Sequence, residues 1–353
     1  MAKIPVSKYP NQAGYMQFDT NNNRVEVFSD GKFGPVGAVP FDHDIDIYVG
    51  PGGDFDNPDD ALDYIQYLQP KHFRFKNFLR DESRSIVLYK NPQINLIFKT
   101  GYVFENPFVL ENKFMPWLNI TQEDLNIPLS VTLLNQPSDP QYPVNAVTIY
   151  NSHIRSFSLN LLNQATHLDQ VNVEGIVVGQ GSVVQRVPYI KAEHFSIGLI
   201  SQTGAHVNRV IEYHMNDMFY YGFYSASPGS IIFFINDRDI MYPSSMTNIG
   251  LAAFCTMENG HLHLYRGDHT IDKCHHAFRC AQNGTIFIHS DTTINVSNLA
   301  TIIRIDQSGM FDTYSPITKG NNIRHDIYPT DLTVNTFDPR GWVRADPSLT
   351  KQA

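Results

Sequence analysis

Gly229-Ser230-Ile231-Ile232-Phe233 is followed by Gly260-His261-Leu262-His263-Leu264 and Gly284-Thr285-Ile286-Phe287-Ile288. Each stretch opens with glycine and places apolar residues two and four positions later, the alternation of a strand with one buried face. Similar starts occur at Gly181-Ser182-Val183-Val184, Gly204-Ala205-His206-Val207 and Gly309-Met310-Phe311-Asp312, so the six glycines stand 23, 25, 31, 24 and 25 residues apart. Short strands at a period near 24 are the pattern of a β-solenoid. The long interval implies a six-residue insertion, placed at Met241 to Thr247. Six residues before four of the glycines stand Phe223, Phe254, Phe278 and Ile303, the inward column that stacked rungs require. His206/Asn208 and Gln185 break the alternation in the first two repeats, so a one-residue slip is expected there.

Around this repeat the chain divides into three parts. Residues 41–324 are expected to form the solenoid. Runs such as Ser85 to Tyr89, Leu96 to Phe98, Val144 to Tyr150 and Ile154 to Leu161 are taken as irregular early rungs between 71 and 180. Residues 1–40 hold two short strands around a Thr20 to Asn23 turn, then a Ser29-Asp30-Gly31 turn into Phe33, a small β-meander. A piece of that size buries too little surface to stand alone, which marks it as an attachment module. Residues 325–353 contain Pro329, Pro339 and Pro347 without a rung pattern and are expected to run as an extended arm. At 58–69 the sequence predicts a helix: Asn57 is the N-cap, Pro58 the first helical residue, Asp59 and Asp60 sit in the first turn, and Leu62, Ile65 and Leu68 form one stripe.

Two of these segments carry a family resemblance. Gly14, Phe18, Asp19, Thr20, Arg24, Glu26, Phe28 and Gly31 resemble a short module of bacteriophage tail fibres and spikes. The strand at Ile47 to Val49, the glycine turn Gly50 to Gly53 and the helix opened by Asp56-Asn57-Pro58 resemble the cap of right-handed parallel β-helices of the pectin-lyase type, as in phage tail proteins. The resemblance implies an all-β, right-handed parallel β-helix in a side-by-side homotrimer. It also implies a virion protein assembled in the host cytoplasm, attached through its N-terminal module to other tail or baseplate proteins and contacting a host-surface polysaccharide. Many spikes of similar fold are depolymerases, so a glycoside hydrolase or lyase acting on capsule or O-antigen is the alternative. A purely architectural tail part without a ligand is a third reading.

Composition narrows the rest. The chain of 353 residues has 42% apolar residues, 12% aromatics and only 17% charged residues, so its surface is rich in uncharged groups or lies against other chains. A net charge of −9 without a basic run argues against nucleic acid. The longest apolar run, Ile231 to Ile235, is far below the ~18 residues that span a bilayer, and Met1 to Ser7 lacks an apolar signal core, so a soluble chain without membrane insertion is expected. Cys255, Cys274 and Cys280, three without CxxC spacing, are expected as buried thiols kept in a reducing cytosol. No cofactor motif is present.

Four sets of residues are candidates for function. Three positions after five of the glycines stand Val184, Val207, Ile232, His263 and Phe287, an apolar column expected to face outward and to form the trimer interface, or else to lie under a loop of the same chain. Glu212, Asp237, Asp268 and Asp291 recur at the strand ends, and stacked ~4.8 Å apart they would raise one another's pKa as a catalytic ladder. As ordinary turn residues they would have no such role. His261 and His263 project from one strand face, where three copies about a threefold axis would offer six nitrogens to a metal; as surface or interface histidines they bind none. Phe219 to Tyr224 offers rings for sugar stacking, although alternation buries about half of them.

Overall fold

The computed structural model describes residues 16–19, 24–29, 32–35, 39–71, 78–80, 86–88, 91–133, 143–164, 172–234, 243–330, 332 and 341–345. The chain divides into two compact units, 1–96 and 97–353. In the first, Met16–Asp19, Arg24–Ser29 and Lys32–Pro35 form an antiparallel meander with Met16 opposite Val27 and Phe28 opposite Phe33. Asn57 caps the helix by accepting the Asp60 amide at 2.9 Å. That helix spans Pro58–Ile65 and buries Ala61, Leu62 and Ile65. It stops short of the expected residue 69 because Leu68–Pro70 is an extended strand paired with Val39–Phe41. Ile86–Leu88 pairs antiparallel with Phe78–Arg80, so that run is a hairpin and not a rung.

The second unit is a stack of parallel strands, a β-solenoid. Its later rungs each contribute three strands to three faces; the first and second sheets are two arms of one 17-stranded sheet, and the third is separate. The first sheet runs through Ser230–Phe233, His261–Leu264, Thr285–Ile288 and Gly309–Thr313. The second holds Ser244–Ile249, Gly267–Asp272, Thr292–Ser297 and Ile317–Lys319. The third has nine strands, from Phe108–Glu111 to Ile323–Tyr328. In earlier rungs the first two strands merge into one long strand, as in His153–Asn163, Val183–Glu193 and His206–Met218. The solenoid runs beyond the expected end at 324. Ile323–Tyr328 pairs with Leu299–Ile305, and Gly341–Arg344 pairs in register with Gly309–Asp312. The last glycine-led strand is obscured in the sequence by the proline-rich segment before it.

Register explains the slip in the first two repeats. Val184, Val207, Ile231, Leu262, Ile286, Phe311 and Val343 form one continuous inward column, and all are buried. Ser182 and Ala205 therefore occupy the position of the later glycines, one residue after Gly181 and Gly204. The two kinds of glycine answer different needs. Gly204 has φ +75° in the turn itself, whereas a Cβ on Gly260 would lie 2.0 Å from the Ser225 carbonyl oxygen of the preceding rung. Two-residue turns of positive φ, such as Glu258-Asn259 and Gln282-Asn283, supply the bend in the later repeats. The long rung also differs from expectation: Met246 and Thr247 are strand residues, and the extra six fall between Phe233 and Ser244, largely in 235–242, outside the described residues.

The core is aromatic at its centre. Phe223, Phe254 and Phe278 stack rung on rung at centroid distances of 5.7 and 5.4 Å, and Phe278 continues to Phe311 at 5.2 Å. Beside them the Tyr213 hydroxyl meets His269 Nδ1 at 2.7 Å with both side chains buried. Burial pushes the His269 imidazole down to about 3, so the ring is neutral in the folded chain. The three cysteines are free and buried, and burial pushes the Cys255 and Cys274 thiols up to about 12.

Two measurements test this core. Phe254→Ala removes the middle ring of the stack and is expected to cost about 3–5 kcal/mol in chemical denaturation, against less than about 0.5 kcal/mol for an exposed position such as Thr293→Ala. His269 is depressed in the folded state, so between its ordinary pKa and about 3 the unfolded chain binds a proton that the folded chain does not. Stability is therefore expected to fall as pH drops through that window, by up to about 1.4 kcal/mol per pH unit from this group. His269→Gln should flatten the acid limb by about one proton; an unchanged slope would refute the assignment.

Candidate functional site: an aromatic and histidine strip

The same alternation that fills the core projects the intervening residues outward. One position after each later glycine stand Ser230, His261, Thr285 and Met310; at three, Ile232, His263, Phe287 and Asp312; at five, Phe234, Tyr265, His289 and Tyr314. The rings touch along and across the rungs. His263 stacks on Tyr265 at 5.9 Å and 9°, and lies 5.8 Å from Phe287. Tyr265 reaches Phe234 at 6.1 Å and His289 at 5.7 Å, and Phe287 reaches Tyr314 at 5.6 Å. Phe234 is 41% exposed, Met310 40% and Tyr314 55%, so the strip meets solvent in the single chain.

Its electrostatics change along its length. From Ile232 to His289 the outward positions carry no lysine, arginine or carboxylate, and burial together with the neighbouring His261 holds the His263 imidazole below its ordinary range. At the far end Arg344 sits 4.4 Å from the Tyr314 ring centre and 5.4 Å from that of Trp342. Its Nε donates to Asp312 at 2.6 Å, and its Nη2 reaches Asp312 and the Tyr314 hydroxyl. The charge there is paired and laid flat on aromatic faces.

Of the five residues expected in an outward column, the structure brings Ile232, His263 and Phe287 together on the strip. Val184 and Val207 are corrected: both point into the core, because the register slip turns their position inward. His261 and His263 do share a face, with ring centres 6.3 Å apart. Among the described residues no group of three or more His, Cys, Asp or Glu is arranged to hold a metal. Tyr265, His289, Tyr314 and Phe234 are the members that the sequence reading passed over. Their signal was an aromatic ring five positions after each of four glycines.

The acids do not stack as neighbours. Glu212 and Asp268 fall in one column, since His214 pairs with Ser245 and Ser244 with His269, but Pro243 occupies the rung between them. Two strand spacings, roughly 9.6 Å, then separate the backbones. Glu212 engages His214 Nε2 at 3.1 Å. Asp268 lies opposite Thr293, so Asp291 is two residues out of register; it is exposed and accepts the Ser290 hydroxyl at 3.3 Å. Asp237 lies outside the described residues. The acid with an unusual titration is Glu174, whose carboxyl burial pushes up to about 7; its signal was a lone acid in the apolar run Val173 to Val178.

The Phe219 to Tyr224 cluster splits, but not by strict alternation, since both Gly222 and Phe223 are buried between two outward tyrosines. Phe223 enters the core, Tyr221 and Tyr224 stack outside the third sheet at 5.2 Å and 12°, and Phe219 and Tyr220 meet edge-on at a corner at 4.7 Å. Comparisons with protein-family models, with curated proteins and with solved structures give no match to this chain.

Proposed function

We propose that the chain is a phage-tail structural protein, tailspike-like or tail-fibre-like, that assembles as a homotrimer on the aromatic strip and turns its remaining faces toward a host-surface polysaccharide. The observation that carries this is the strip itself. A solvent-facing sheet is ordinarily polar, whereas this one presents mostly rings, Ile and Met, with Ser230, Thr285 and the Asp312–Arg344 pair as its other polar members, a composition close to that of an interface core. Sheets stacked in register are rigid, so the strip is a preformed surface, and a closed ring of identical chains uses it once per copy. In this reading the solenoid is right-handed, the helix Pro58–Ile65 caps it, and the meander 16–35 attaches it to other tail or baseplate proteins in the virion. The resemblance of the motif around Phe18 to Phe28 supports that attachment. The hydrolase or lyase reading stays the alternative: Glu212 and Asp268, whose backbones lie two strand spacings apart, stand near the spacing of about 6.5–9.5 Å that an inverting carboxylate pair uses.

Native mass by light scattering is expected near three chains of 40.1 kDa each; a monomer at every concentration would overturn the trimer. Phe287→Asp puts a charge in the centre of the strip and is expected to weaken association by at least about thirtyfold, the effect of losing about 2 kcal/mol, with far-UV circular dichroism unchanged. Protonation of His263 charges the same surface. Its imidazole already lies below its ordinary range in the single chain, and further burial against a partner chain would lower it again, so protons bind better to separated chains and the trimer should loosen as pH falls from 7.5 to 5. Sedimentation at the two values checks this; equal mass at both sinks it.

A further inference from the structure

A cleft of about 800 Å³ lies at the corner between the second and third sheets, where Asp217, Phe219, Tyr220, Asn248, Gly250, Lys273, His275 and Asn298 are among its lining residues. Its shape follows from one missing side chain. Met218 pairs with Ile249, the His275 amide donates to the Ile249 carbonyl and the Ala300 amide to the His275 carbonyl, so Phe219, Gly250, His275 and Ala300 succeed one another at this corner on four rungs, with His275 also opposite Leu251 because its rung turns with one residue fewer. Glycine between two rings opens a slot of two strand spacings, roughly 9.6 Å, between the backbones of Phe219 and His275. The gap is fixed: a Cβ on Gly250 would stand 2.2 Å from the Phe219 carbonyl oxygen.

A second column borders the slot. Asp217, Asn248, Lys273 and Asn298 take the corner residue of their rungs, all with positive φ between 53° and 57°. Asp217 is engaged by His194 at 3.3 Å. The Asn248 amide donates to Asn216 at 3.3 Å, which leaves its oxygen available. The carboxylate nearest Lys273 in sequence, Asp272, is occupied by Ser297 Oγ at 2.6 Å and Asn298 Nδ2 at 2.7 Å. Lys273 is exposed and has no ion pair among the described residues.

We infer that this cleft is a glycan subsite for one pyranose ring that bears a carboxylate. The inference rests on the host-polysaccharide reading above and gives that contact a place. A pyranose has an apolar C–H face that packs on an aromatic ring and an equatorial rim of hydroxyls that take amide groups. The slot between Phe219 and His275 offers the first and the corner column the second. Lys273, the one lysine of the lining, feels the charge of Asp272 but makes no ion pair with it among the described residues, and it selects a carboxylate at the rim. The corner joins the second and third sheets, so a trimer closed on the first sheet leaves it open to solvent.

Isothermal titration with a glucuronate-containing disaccharide and with cellobiose, its neutral counterpart, tests the assignment on the full chain. The acidic disaccharide is expected to bind at least fivefold more tightly. Lys273→Asn, which suits the positive φ of that corner, should bring the two sugars to within twofold of each other. Phe219→Ala and His275→Ala should weaken both by tenfold or more, with the thermal unfolding temperature serving as the check on folding. Binding of neither sugar, or an acid preference that persists in Lys273→Asn, overturns the subsite. Phe287→Asp should leave sugar binding unchanged even as it dissociates the trimer, so failure of the strip and failure of the cleft are separate results.

Discussion

Everything in the second unit depends on one constraint, the in-register pairing of each rung with the next. Parallel strands satisfy their backbone groups only through the neighbours above and below, so no rung is complete alone. The inward column from Val184 to Val343 and the Phe223–Phe254–Phe278 stack are the side-chain side of the same constraint. Once inward positions are fixed, a period of two fixes the outward ones as well. The strip and the core are therefore a single pattern seen from its two faces.

That coupling explains what was legible. Glycine spacing and alternation gave the solenoid, its later rungs and the Phe column, because those signals repeat and each copy confirms the others. The slip at Gly181 and Gly204 was visible as a broken alternation at Gln185 and His206, but its consequence, that Val184 and Val207 turn inward, needed the observed pairing. The last strand at Gly341 was hidden by distance from Gly309 and by the prolines around it. Helix length was misjudged for a different reason: Leu68 fits the helical stripe, yet its backbone is used by Val39–Phe41, and a local pattern does not contain a partner 29 residues away.

The two surfaces differ in how visible they are to a sequence reading. The strip repeats, so its aromatic residues recur at fixed offsets and are countable in advance. The cleft is a single exception to a column, a glycine where neighbouring rungs carry Phe219 and His275, and an exception has no copies to confirm it. Carboxylates were the least informative: Glu212 and Asp268 occur at similar offsets, yet Pro243 stands between them in space.

The turns of positive φ also bear on chemical ageing. Asn259-Gly260 and Asn283-Gly284 are asparagine–glycine pairs, the linkage at which a backbone nitrogen most readily attacks the preceding side-chain amide and converts asparagine to aspartate or isoaspartate. Here each attacking nitrogen is already committed, Gly260 to the Met257 carbonyl and Gly284 to the Ala281 carbonyl, both at 2.8 Å. The glycines are also pressed against the rung below, which denies them the swing that ring closure requires. The contact that sets the register thus shields the most labile joints of the chain.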